Sequence, residues 1–213
     1  NIKNLFIFPA FKIIPPALRL IVNHKHLQIN GFLLPGHVSV IIGSRPYAFL
    51  SKEYGLSGVI SGFEPVDILY SIYIMLKQIH QNRPKIEIQY RRTILPSGNT
   101  KAQRLLNDVF EKDTSNWRAI GNIPDSGLTF NKNHKNFCAK SKFNIRTRRT
   151  QEHKNCLCGQ ILLGLTTPKD CPLFAKTCTP QNAVGPCMVS SEGTCAAYYK
   201  YRLTPAIRSR SGG

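Results

Sequence analysis

Six of the seven cysteines of this chain fall between Cys156 and Cys195, in the runs Cys156-Leu157-Cys158-Gly159, Cys171-Pro172, Cys178-Thr179-Pro180, Pro186-Cys187 and Thr194-Cys195. So many thiols in one short stretch punctuated by proline and glycine confine it to a metal site, a redox site, a disulfide framework or a combination of these. The chain has 213 residues and is 42% hydrophobic, enough to bury a core without covalent staples. The cysteines are therefore read as chemical rather than merely stapling.

A structural zinc site usually uses two close cysteine pairs, because two ligands on one tight turn pre-organise half a tetrahedron. Here only Cys156 and Cys158 are close, and the other four are spaced singly. Four thiolates gathered from separated loops suit an iron–sulfur cube equally well, and proline beside cysteine is compatible with loops that wrap a cluster. A cube takes four of six thiols and leaves two for thiol–disulfide chemistry. Spacing alone keeps iron–sulfur, zinc and plain disulfides all open.

Upstream, from 31 to about 130, short β-branched runs alternate with helical periodicity, the pattern of an α/β unit with a parallel sheet. Strands are expected at 38–42, 58–60 and 86–88. Between the last two, Ile68, Leu69, Ile72, Met75, Leu76 and Ile79 recur at helical spacing, with Pro65 suited to the first turn. A further helix is expected through Ala102, Leu105, Leu106, Val109 and Phe110, with Asn99 as its cap. Trp117 reads as a core aromatic and Ser126 as part of a Pro-Asp-Ser-Gly turn. The expected division is an α/β domain over 1–135, a basic connector over 136–154, a cysteine-rich domain over 155–203 and a disordered tail over 204–213.

The net charge of +18 raises nucleic acid as a partner. The connector, with Lys132, Lys135, Lys140, Lys142, Arg146, Arg148, Arg149 and Lys154 against Glu152, carries few aromatics on which bases would stack. A solvated linker is the favoured reading, and no specific nucleic-acid partner is expected. The apolar run at 5–11 contains Pro9 and is closed by Lys12, so neither a membrane span nor a secretory leader is expected. The expected setting is cytoplasmic.

The motifs then align with a known family. Gly31-Phe-Leu-Leu-Pro-Gly-His37-Val-Ser39, Ser61-Gly-Phe-Glu64-Pro65, Tyr90-Arg-Arg92, Gly98-Asn99 and Trp117-Arg-Ala-Ile-Gly-Asn-Ile-Pro-Asp-Ser-Gly127 run in order. They lead into Cys156-Leu-Cys-Gly159, Pro168-Lys-Asp-Cys171-Pro, Cys178-Thr-Pro180 and Gly185-Pro-Cys187-Met-Val-Ser-Ser-Glu-Gly-Thr-Cys195-Ala-Ala-Tyr. This series resembles the hydrogenase maturation family HypD over nearly the whole chain.

The resemblance implies a Rossmann-like α/β parallel-sheet domain followed by a small, irregular iron–sulfur domain. It implies a [4Fe-4S] cluster on Cys156, Cys171, Cys178 and Cys195, and a redox pair formed by Cys158 and Cys187. It also implies work with a HypC-type chaperone and a HypE-type cyanide donor in assembling the Fe(CN)2CO group of nickel–iron hydrogenases, as a scaffold and redox factor rather than a conventional turnover enzyme. Within the motifs, His37 suits a ligand, a general acid or a hydrogen-bonding group as well as a structural role. Glu64 suits a partner for a basic group or a cap for the helix beginning at Pro65. Arg92 and Arg118 suit an anion or a plain salt bridge.

The family's N-terminal α/β domain, with its own cysteine motifs, has no counterpart in this sequence, which points to a truncated or partial copy. Ala119 stands where the family usually has Gly, His134 where an aromatic hydroxyl is usual, and Cys138 where Asp is usual. Cys138, a seventh, unpaired thiol, reads as a buried or inert residue rather than a ligand. The alternatives are a zinc-stabilised module with a basic RNA-binding linker, or a non-functional remnant.

Overall fold

Pro15 and Pro16 stand at the first positions of a helix, where a fixed φ and a missing N–H cost nothing. A computed structural model describes residues 3–145 and 152–202 of the chain. The tail expected over 204–213 and part of the basic connector, 146–151, lie outside the described residues. After a short strand β1 (Phe11–Lys12), helix α1 (Ile14–Val22) buries Ala17 and Val22.

The first strand of the parallel sheet is β2 (Gly31–Pro35), and the run expected as a strand at 38–42 lies in helix α2 (Gly36–Ile42). Val38, Val40, Ile41 and Ile42 are β-branched and favour a strand locally, but tertiary pairing overrides that preference. Residues 31–35 pair in parallel register with 57–61, from Gly31 with Ser57 to Pro35 with Ser61. Where the pairing ends, a Cβ on Gly36 would stand 2.4 Å from the Ser61 carbonyl oxygen. The glycine lets the chain turn there into a helix.

Helix α3 (Ala48–Lys52) leads to β3 (Ser57–Ser61), buried along its whole length, and then α4 (Pro65–His80) crosses to β4 (Ile86–Ile88). The sheet order is β2-β3-β4, with β3 parallel to both neighbours. This is the α/β architecture expected from the sequence. Tyr47, Leu50, Val59 and Ile60 form its fully buried centre.

Helix α5 (Thr100–Val109) opens as expected, with the Asn99 side chain accepting from the Ala102 N–H at 3.0 Å. Strands β5 (Phe110–Trp117) and β6 (Gly121–Phe130) form a second sheet in the order β1-β6-β5, with β1 antiparallel to β6. Ser126 is therefore a fully buried strand residue and not part of a turn. Its carbonyl accepts from the Ile13 N–H at 2.8 Å, so sheet pairing outweighs the turn signal of Pro124-Asp125. Trp117 is half-buried at the end of β5. A short helix α6 (Ala139–Lys142) follows.

The described residues pack as two compact units. The first holds both sheets, with α1 to α6. The second gathers 24–28, the tip of the β5–β6 pair at 116–123, and the described residues from 152 onward. Its elements are α7 (Cys158–Leu162), a 3-10 turn at Pro168–Asp170, α8 (Pro186–Val189) and α9 (Thr194–Arg202). Among the described residues no helix is long and apolar enough to cross a membrane.

Candidate metal centre and thiol pair

Cys156, Cys171 and Cys178 close tight turns through their backbone N–H groups, and Cys158, Cys187 and Cys195 lie in the first turns of short helices. Cys156 closes a turn through its N–H to the His153 carbonyl at 2.9 Å, and Cys158 opens α7. Cys171 follows the 3-10 turn. That turn is held by the Asp170 carboxylate, which accepts from the Thr167 N–H at 2.8 Å, the Thr167 hydroxyl at 2.7 Å and the Thr166 hydroxyl at 2.9 Å. These bonds, the backbone one first, hold the Asp170 carboxyl below its usual range.

A tight loop then carries the chain from Cys171 to Cys178. The Phe174 N–H donates to the Cys171 carbonyl at 3.0 Å and the Cys178 N–H to the Leu173 carbonyl at 2.9 Å, while Ala175 takes a left-handed φ of +56°. Cys187 lies in the single turn of α8 behind Pro186, and Cys195 in the first turn of α9.

All six cysteines line one void, together with Ile161, Leu173, Phe174, Gly185 and Met188. The void is small, about 10 Å³. Cys158, Cys171, Cys178, Cys187 and Cys195 are buried, and Cys156 is half-buried. Cys158 and Cys187 form a disulfide with Cα atoms 6.1 Å apart, while Cys156, Cys171, Cys178 and Cys195 are free. A Cβ on Gly185 would stand 2.5 Å from the Cys156 sulfur, so only glycine lets that thiol reach the void.

Burial pushes the Cys195 thiol up to about 11, and the nearby sulfurs of Cys171, Cys178 and Cys156 add to the effect. Burial likewise raises Cys156, with the charges of Cys171, Cys178 and Glu152 acting the same way. Cys156 and Cys195 thus each lie within the field of other sulfurs lining the void. The donors are all sulfur in an apolar setting, which suits a thiophilic metal or an iron–sulfur cluster over a hard cation. Among the described residues no group of three His, Cys, Asp or Glu side chains is gathered closely enough to hold a single metal ion.

The β5–β6 tip belongs to the same unit and fastens the cysteine loops. The Ala119 N–H is hydrogen-bonded to the Glu152 carboxylate, and Arg118 Nη2 donates to the Val184 carbonyl at 3.2 Å. Arg118 thus holds a backbone carbonyl two residues before Pro186. This contribution was not read from the sequence, although the Trp117–Gly127 motif was its visible trace.

In the first unit, His37 and Glu64 stand just beyond the carboxyl ends of β2 and β3, the end of a parallel sheet at which α/β folds bind ligands. His37 is exposed and packs on the Phe63 ring with centroids 4.5 Å apart. The Glu64 carbonyl accepts from the Ile68 N–H at 3.0 Å, but its side chain does not cap α4 and lies 3.7 Å from Arg92. The closer partner of Arg92 is Asp67 at 2.6 Å, and its guanidinium lies 5.0 Å from the Tyr90 ring centroid. Cys138 is buried and free and does not line the void. Burial raises its thiol, and hydrogen bonds from Ser141 with the charge of Lys140 more than offset that, leaving it below its usual value.

Fold and site together define an α/β protein carrying a compact pocket of four free thiols and one disulfide. The chain belongs to the HypD family, whose model, described as "Hydrogenase formation hypA family", matches residues 1–202. It is 44% identical over 208 residues to the hydrogenase maturation factor HypD of Cupriavidus necator, covering 94% of this chain and 55% of the relative. A hydrogenase expression/formation protein of Methanocaldococcus jannaschii, itself named as putative, is 39% identical, covering 95% and 56%. The HypD of Escherichia coli is 37% identical, covering 95% and 54%. The chain spans about half the length of the curated relatives it matches.

Proposed function

We propose that this chain is the cluster-bearing part of a hydrogenase maturation factor. In this reading Cys156, Cys171, Cys178 and Cys195 hold a [4Fe-4S] cluster, and Cys158 and Cys187 exchange between dithiol and disulfide. The supporting observation is that all six sulfurs line one void while only Cys158 and Cys187 are bonded to each other. When bound, the cluster supplies one-electron chemistry.

The chain's own residues do the rest. Gly185 leaves room for the Cys156 thiol, the Thr167–Asp170 turn aims Cys171, and Ile161, Leu173, Phe174 and Met188 supply an apolar lining around the sulfurs. The pair gives up two electrons and two protons on closing to a disulfide and takes them up on reduction. Its cargo is iron that receives cyanide and carbonyl ligands, with a HypC-type chaperone and a HypE-type cyanide donor as partners in a cytoplasmic setting. His37, Glu64 and Arg92, beyond the carboxyl ends of the parallel strands, are suited to contact that cargo or an anionic ligand.

The test is a chimera in which this chain replaces the matching part of the E. coli relative, placed in a strain lacking that protein. Hydrogenase activity is expected to return, and Cys158→Ser with Cys187→Ser is expected to abolish it while iron content stays unchanged. Full activity in the double variant would overturn the reading.

A further inference from the structure

Helix α4 is built inside out. Its buried positions are Asp67, Ser71, Ile74 and Gln78, three of them polar, whereas Val66, Leu69, Tyr70, Tyr73 and Leu76 face outward. The polar side is satisfied. Asp67 accepts from Gln89 at 2.8 Å and Arg92 at 2.6 Å, the Ser71 hydroxyl donates to the Asp67 carbonyl at 2.7 Å, and Gln78 donates to Glu87 at 3.3 Å. The helix is thus fastened by hydrogen bonds to β4 and to the segment that follows it, and its apolar stripe is left over.

Leu69 is 67% exposed and Tyr73 58%, and the rings of Tyr70 and Tyr73 stack with centroids 6.1 Å apart. Scattered apolar residues are normal on a surface, but a continuous stripe of large ones at helical spacing marks a covered surface. Met75, which meets Gly31 of β2, lies almost opposite the stripe around the helix axis, so the stripe faces away from that strand.

We infer that the outer face of α4 is a docking surface. Its occupant is a folded domain, the part of the polypeptide that the relatives carry outside the region they share with this chain. The matched region is 55% of the C. necator relative, so that protein has close to another half of its length available to cover the stripe. Charge agrees with such an occupant. The stripe carries no acidic residue, and the basic Lys77 and His80 come only at the end of α4, as in interfaces buried within one assembly rather than in polar transient contacts.

Hydroxyl-radical labelling of Tyr70 and Tyr73 tests the inference, with exposed Tyr201 as reference. The chain alone is compared with the chain joined to the remaining length of the C. necator relative. Labelling of both tyrosines is expected to fall about five-fold or more on joining. Leu69→Lys with Tyr73→Lys, both at exposed positions, is expected to restore labelling of Tyr70 in the joined protein. Equal labelling in the two proteins overturns the inference, and so does a Tyr70 that stays protected in the double variant. Protection that grows with concentration in the chain alone would assign the face to a second copy and equally overturn it. Should the joined protein be insoluble, labelling of the chain mixed with the remaining part of the C. necator relative decides between the same outcomes.

Discussion

Ala119 adopts φ +68° at the tip of β5–β6, in the left-handed region where a Cβ is strained. It stands where the family resemblance places glycine, and its N–H is the group that Glu152 holds. Ala119→Gly is therefore expected to stabilise the chain by about 0.5–1 kcal/mol, raising the thermal midpoint by roughly 1–3 °C in a melt without metal. Gly185 behaves oppositely. Its φ is ordinary, but a methyl group there collides with the Cys156 sulfur, so Gly185→Ala is expected to lower iron retention while leaving the first unit's thermal transition in place. At this scale the cysteines were legible, because thiol crowding is a property of the chain itself. Their division into four free thiols and one disulfide was not legible from spacing, which left three site types open until the family resemblance was weighed.

Secondary structure was legible where pattern and tertiary context agree. The periodicity of α4 and the Asn99 cap of α5 are local signals, and both elements form. The run at 38–42 misled because β-branched residues carry strand propensity, while the pairing partner of β3 is 31–35. Periodicity also hid which side of α4 faces inward, since apolar residues normally do. Asp67 fastens that helix, and Asp67→Ala removes the acceptor for Gln89 and Arg92. The expected cost is about 1–3 kcal/mol in urea unfolding of the first unit.

Glu87 on β4 supplies a pH dependence. Its hydrogen bond from Lys85, with smaller help from Gln78, holds its carboxyl below the ordinary 4.5. A carboxylate depressed in the folded state adds stability that is present above its unfolded value and lost as pH falls through the folded one. Urea midpoints taken across that acid range are expected to fall less steeply for Glu87→Gln than for the parent chain.

At the scale of the whole molecule, the sequence signalled a sheet-bearing region and a cysteine-rich one, but the tip of β5–β6 packs with the second. That pairing of segments distant in sequence rests on the Arg118 and Glu152 contacts, which no local pattern announces. Charge works at this scale too. The net +18 is expected to give RNA binding that weakens steeply with salt and shows no sequence preference, as measured by titration at several ionic strengths.

The central claim is the division of the six sulfurs into four ligands and one exchanging pair. Iron and acid-labile sulfide counted after anaerobic reconstitution of single serine variants test it most directly. The account predicts four iron and four sulfide per chain for the parent, for Cys138→Ser, for Cys158→Ser and for Cys187→Ser, with a marked loss for serine at Cys156, Cys171, Cys178 or Cys195. Full cluster content in Cys171→Ser and Cys195→Ser, or its loss in Cys158→Ser, would contradict it.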